Sequence, residues 1–174
     1  MCEEPEEKAY STLIGTIKMK TEPVRTPITG QEEKVLSIPL KAVVDFYKAF
    51  NSRDMQRMED NWAQTDDVSL SSPAGDIKRG WSEVKAVYEY IFNGPATVKV
   101  EFYDYTLHES NDIFYVVGRE RGEVCTGETR FPLTIRTSRI FRMIDGAWKQ
   151  VHSHGSMDDA ELLARCQSKP TGGQ

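Results

Sequence analysis

At 174 residues the chain is long enough for one domain with a sizeable core that needs neither disulfides nor metal. Hydrophobic residues make up 39% and charged residues 28%, a balance that suits a soluble globular protein. The net charge of −5 comes without a long basic run, which argues against general nucleic-acid binding. No apolar run approaches the roughly 18 residues of a membrane helix. The N-terminal MCEEPEEK is acidic, unlike a secretory signal, so a cytoplasmic location is expected. Cys2, Cys125 and Cys166 are scattered and form no CxxC pattern, so neither a disulfide framework nor a structural zinc site is expected.

Residues 1–34 predict a flexible leader, acidic at Glu3, Glu4, Glu6 and Glu7 and broken by Pro23, Pro27 and Gly30. Thr12 to Met19 has the apolar content for a short strand or a docking contact. The leader holds few periodic apolar positions and is expected to be dispensable for folding. The folded domain is expected over 35–167 and a disordered tail over 168–174. Ser37 is a candidate N-cap, and Leu40, Val43, Val44 and Tyr47 follow helical spacing. A second helix carries Met55, Met58 and Trp62 on one side, read as core. Val68 and Leu70 mark a short strand, stopped by Ser72-Pro73-Ala74-Gly75. A third helix, with Ser82 as candidate cap, shows Val84, Val87, Tyr88 and Ile91, and Gly94-Pro95 ends it.

From Val98 onward the pattern is strand. Ile113 to Val117 is continuously apolar, as in a central strand covered on both faces. Arg136 to Ser156 predicts a long hairpin turning at Asp145-Gly146, a dipeptide suited to positive φ. One arm carries Phe131, Leu133, Ile135, Thr137, Arg139, Phe141 and Met143 in one alternating phase. In the other, Trp148, Gln150, His152 and His154 share a phase. Arg139 on an apolar face must find an anion or acceptors. Two readings stand for it: a carboxylate-binding group, or an internal ion pair with Glu101 or Glu120. His152 and His154 are candidates for proton transfer, since histidine titrates near neutral pH. They are too few to hold a metal, and no metal or cofactor is expected. Tyr47, Trp62, Tyr88 and Tyr103 are candidate cavity walls. Helices early and strands late indicate an α+β domain.

The spacing of FYKAFNSRD, the segment SPAGDIKRGWSEVKAVYEYIF and the closing hairpin resemble the nuclear transport factor 2-like superfamily, over residues 37–156. The resemblance implies a cone-shaped fold, three N-terminal helices packed on a strongly bent antiparallel sheet. Ser138-Arg139, Asp145-Gly146, Trp148, Val151-His152, His154 and Ser156 are most similar to the association (hub) domain of calcium/calmodulin-dependent protein kinase II and to bacterial SnoaL-like relatives. That similarity implies pocket arginines at Arg139 and, less directly, at Arg119. Ketosteroid isomerase, of the same superfamily, needs an aspartate base, a tyrosine and a protonated aspartate. Those positions are Ser72, Phe46 and Arg139 here, which disfavours its reaction.

The expected function is a self-associating domain, a homodimer or larger, with an internal pocket for a polar or anionic organic ligand. Self-association is expected because the helices leave one apolar sheet face uncovered. The alternative is a small-molecule lyase, isomerase or hydrolase. In it His154 or His152 is the general acid-base and Arg139 stabilises an anion. Neither nucleic acid nor membrane is an expected partner.

Overall fold

The computed structural model describes residues 18–19, 22–34, 37–157 and 159–167. The expected tail at 168–174, and Thr12 to Ile17 of the candidate leader strand, lie outside the described residues. Helix α1 (Ile38–Ser52) starts where Ser37 caps it, the Ser37 hydroxyl accepting from Leu40 N at 3.3 Å. Arg53 ends it in the left-handed region at φ 55°. Asp54 then caps α2 (Met55–Asn61) by accepting from Arg57 N at 3.0 Å. Helix α3 (Gly80–Asn93) begins two residues before the expected Ser82 cap. Its N-terminus is held instead by Glu83, which accepts from Arg79 N at 2.9 Å. Helix α4 (Ala160–Gln167) follows the last strand.

The strands are β1 (Lys18–Met19), β2 (Ser69–Ser71), β3 (Ile77–Arg79), β4 (Thr97–Glu109), β5 (Ile113–Thr126), β6 (Thr129–Ile144) and β7 (Ala147–Met157). They form one sheet in the order β1-β4-β5-β6-β7-β2-β3. The cone architecture is the expected one, with one correction. The sheet is mixed rather than antiparallel, because β2 runs parallel to β7. The chain leaving α2 already travels beside β7, with Ala63 N donating to Gln150 O at 2.9 Å, so β2 enters the sheet in the same direction.

The β6–β7 hairpin turns at Asp145 and Gly146, with φ of 50° and 78°, as that dipeptide favours. Leu133, Ile135, Thr137, Arg139 and Phe141 are buried in the expected phase, whereas Met143 is exposed. On β7 the expected phase breaks. Ile140 pairs with His152 and Phe141 with Gln150, so Val151 is an extra residue. Gln150 and Ser153 therefore face the core, and His152 and His154 face the other way. A second irregularity, in β4 at Asp104 (φ 50°), turns both Phe102 and Tyr105 inward. Opposite them Gly118 leaves room, since a Cβ there would lie 2.6 Å from Tyr105 Cβ.

Residues 22–34 are not a free leader. Val24 and Ile28 exchange backbone hydrogen bonds with Tyr105 and Phe102, and Ile28 is buried. Asn51 Nδ2 donates to Thr29 O at 2.9 Å, and Glu32 accepts from Thr29 N and Gly30 N. The physical reason is the open edge of β4, whose backbone groups need partners. The core lies between α1, α2, α3 and the concave face of the sheet. Trp62, Tyr47, Phe46, Phe102, Phe114 and Phe141 are its largest fully buried side chains. β5 is covered on one face only: Phe114 and Val116 are buried, while Ile113, Tyr115 and Val117 are exposed.

Candidate functional site

A cavity of about 800 Å³ opens between α3 and the concave face of the sheet. Helices α1 and α3 supply Phe46, Phe50, Val87, Tyr88 and Ile91 to its wall. The sheet supplies Val98, Val100, Val124, Leu133 and Ile135, and Leu70 to Ala74 close one side. This inner wall is apolar because the inward phase of β6 and the inner faces of the two helices converge on it; the half-buried Lys78 and the exposed Asp76 and Glu83 also line the cavity. Glu120, Thr137, Arg139 and Ser153 form a polar patch on the sheet side.

Arg139 is the centre of that patch and is 5% exposed. Its Nη2 donates to Glu120 Oε1 at 2.7 Å. Its Nη1 donates to Ser153 Oγ at 3.2 Å and Gln150 Oε1 at 3.5 Å, and Nε donates to Tyr47 Oη at 3.3 Å. The guanidinium carbon lies 3.5 Å from the centre of the Phe46 ring. Burial works against this charge, but Tyr47 and Glu120 outweigh burial and raise the Arg139 pKa. Tyr47 Oη donates to Glu120 Oε1 at 2.6 Å, and burial pushes the Tyr47 phenol well above its ordinary range. Burial pushes Tyr88 up to about 12, against the opposing Arg139 charge. Both phenols are therefore neutral at physiological pH.

Of the two readings of Arg139, the internal ion pair is present, and its partner is Glu120. Glu101 is elsewhere, accepting from Arg121 Nε at 2.5 Å. Tyr88 lines the cavity; Tyr47 lies behind it and anchors Glu120. Trp62 is buried against Tyr88, ring centres 6.0 Å apart. Tyr103 and Arg119 are paired in register on the opposite, outer face of the sheet. Glu120 is the inward residue of β5, so alternation sends Arg119 outward, and Tyr103 carries the Arg121 guanidinium 4.3 Å above its ring.

His152 and His154 are also outside the cavity. The Val151 bulge puts His154 in solvent and brings His152 Nδ1 to 2.8 Å from Ser69 Oγ. Burial lowers the His152 pKa, with His154 adding to the effect. Among the described residues no group of three His, Cys, Asp or Glu side chains is placed to hold a metal ion. Ser72, Phe46 and Arg139 do meet in the cavity, but as a hydroxyl, a phenyl ring and a paired guanidinium. Sequence reading weighed Glu120 only as a structural partner and missed Thr137 and Ser153 as site groups. The inward phase of β6 pointed to Thr137. Nothing before the bulge was known pointed to Ser153.

An α+β cone of helices on a bent, mixed sheet is the fold this chain shares with nuclear transport factor 2-like (NTF2-like) structures. The family model for the SnoaL-like domain matches residues 40–160, and the chain belongs to that family. No curated protein sequence matches it. Among solved structures it is similar to an NTF2-like protein of Streptomyces avermitilis provisionally named a dehydratase. That match has a TM-score of 0.62 and 20% identity over 71% of this chain and 95% of that one. It is also similar to a Thiobacillus denitrificans protein provisionally named a calcium/calmodulin-dependent protein kinase type II association domain. There the TM-score is 0.56 and the identity 24%, over 73% of this chain and all of that one. A third, of the same provisional name, from Xanthomonas campestris, has a TM-score of 0.59 and 14% identity over 70% and 87%. At these identities the likeness concerns the fold.

Proposed function

We propose that this chain is a self-associating cytoplasmic domain that holds a small organic molecule in the cavity above Arg139. The observation that carries the reading is the combination of an apolar wall with a buried polar floor. Ligand sites are typically concave and mostly apolar, of roughly 300–1,000 Å³, with a few placed polar groups. Self-association is supported by the exposure of Ile113, Tyr115 and Val117 in one row of β5, and by structural neighbours named as association domains. The enzymatic alternative with a histidine acid-base is not favoured, because neither His152 nor His154 reaches the cavity. Fold likeness alone supplies no reaction.

The test is native purification followed by mass spectrometry of retained small molecules, for the wild type and for Leu133→Phe. Leu133 lines the cavity, and the larger ring is aimed into its open volume. The expected result is a retained organic molecule in the wild type and its loss in the folded variant. Equal retention by both would place the ligand elsewhere and overturn the reading.

A further inference from the structure

The cavity floor is built for one kind of polar group, and the accounting of its donors and acceptors shows which. A guanidinium has five N–H groups. Four of those on Arg139 go to Tyr47, Gln150, Ser153 and Glu120, and Tyr88 interacts with the same guanidinium. At most one remains for a ligand, so the parallel two-bond grip on a carboxylate is not available. Glu120 has already neutralised the arginine. A ligand carboxylate would add a second negative charge beside Glu120, in a largely apolar cavity where an unpaired charge is expensive. A cationic ligand would meet Arg139 in the same way.

Among the described residues, two polar atoms on this floor have no protein partner. Glu120 receives both of its hydrogen bonds, from Tyr47 and Arg139, on Oε1, which leaves Oε2 as an unused acceptor. Thr137 is 3% exposed and lines the cavity, yet its Oγ1 has no partner. The register explains why. Its cross-strand neighbours are Gly118 and Gly155, which have no side chains to offer. Ile135 pairs with Glu120 and Thr137 with Gly118, so Glu120 and Thr137 are diagonal neighbours on one face. Such neighbours are roughly 7–8 Å apart at Cα, a gap that side chains and one bridging group close. Buried polar atoms in native proteins are nearly always satisfied, so an orphan hydroxyl beside a free carboxylate oxygen points to a missing partner.

We infer that the ligand is a neutral, largely apolar molecule carrying a hydroxyl group, which donates to Glu120 Oε2 and accepts from the Thr137 hydroxyl. This rests on the small-molecule reading above and replaces the expected anionic ligand. A ketone accepts from Thr137 but cannot donate to Glu120. A hydrocarbon leaves both atoms unsatisfied. Arg139 and Tyr47 are positioning residues that hold the carboxylate.

The experiment is calorimetric titration with five molecules of one ring skeleton: fluorene, fluorenone, fluorenol, and fluorene bearing a carboxylate or an ammonium group on the same carbon. The expected order in the wild type is fluorenol first, fluorenone next, and the hydrocarbon and both ions at least about tenfold weaker than fluorenol, the scale of one satisfied buried polar group. Thr137→Val should bring fluorenol and fluorenone down towards fluorene. Glu120→Gln frees the guanidinium, so it should weaken fluorenol and strengthen the carboxylate at least about tenfold. Wild-type preference for the carboxylate or the ammonium ion overturns the hydroxyl inference and leaves the small-molecule reading standing. Indifference of fluorenol binding to Thr137→Val also overturns the inference. Absence of binding by all five members overturns both. Should Glu120→Gln not fold, the wild-type order and Thr137→Val decide the matter.

Discussion

At the residue scale the molecule turns on the Arg139–Glu120 pair. Burying two charges is costly, and the cost is met here by hydrogen bonds from Tyr47, to Ser153 and to Gln150 as well as by the pairing itself. Removing one partner leaves the other uncompensated. Arg139→Ala is therefore expected to destabilise the protein by about 3–5 kcal/mol, read from urea unfolding. The double substitution Arg139→Met, Glu120→Leu should lie much nearer the wild type, because no lone charge remains. Equal loss in the single and double variants would show that packing, not charge, dominates at this position. His152 provides a pH prediction. Its folded pKa is lowered, chiefly by burial, so the unfolded chain takes up a proton before the folded one does. Its contribution to stability is complete above the unfolded value of about 6.5 and is lost as pH falls through the folded value. The melting temperature should fall on acidification below about pH 6.5, and His152→Gln should flatten that fall. An unchanged slope would show that His152 is not the group responsible.

At the element scale two irregularities direct the side chains. The Val151 bulge inverts the inside and outside of the last part of β7, which brings Ser153 to Arg139 and sends His154 to solvent. The segment at 22–34 seals the edge of β4 through the Val24 and Ile28 backbone pairs and the burial of Ile28. Burial of such a side chain contributes about 1.5–3 kcal/mol, and the paired backbone adds to it. Deleting residues 1–34 is thus expected to lower the melting temperature clearly, measured by thermal unfolding against the full chain. This reverses the expectation of a dispensable leader. A truncated chain with an unchanged melting temperature would show that the pairing contributes nothing. The reason for the difference is tertiary. Val24 and Ile28 are sparse apolar positions in sequence, but they face an edge strand that is longer than its neighbour β1.

At the scale of the whole molecule, the sheet has a covered face and an open one. Ile113, Tyr115 and Val117 on the open face are 38%, 41% and 44% exposed, an apolar row on a strand in the middle of the sheet. With the outer face buried in a second copy, this row would gain the cover that its continuous apolar character led us to expect. Val117→Asp is expected to shift sedimentation at tens of micromolar from a dimer or larger species to monomer. Ligand binding should persist, since Val117 faces away from the cavity. A wild type that sediments as monomer would sink the self-association proposal.

Much of this was determined by the sequence alone. The helix stripes, the Ser37 cap, the Asp145-Gly146 turn and the β6 alternation up to Phe141 are local, and each is decided by the periodicity or φ preference of a few neighbouring residues. They suffice for an α+β domain and for placing Arg139 inside, while the cone shape followed from the resemblance to the nuclear transport factor 2-like superfamily. Tertiary structure alone decided the contents of the site. Which carboxylate meets Arg139 depends on the β5–β6 register, because Glu101 and Glu120 are equally acidic in sequence. Whether the histidines face Arg139 depends on one extra residue at Val151, which period-2 reasoning cannot see. That the Thr137 hydroxyl has no partner among the described residues depends on Gly118 and Gly155 arriving on either side of it from two other strands. Contacts between distant segments select the partners, and in this protein those partners decide whether the Arg139 guanidinium stands free to grip an anion or is engaged by Glu120, Tyr47, Gln150 and Ser153.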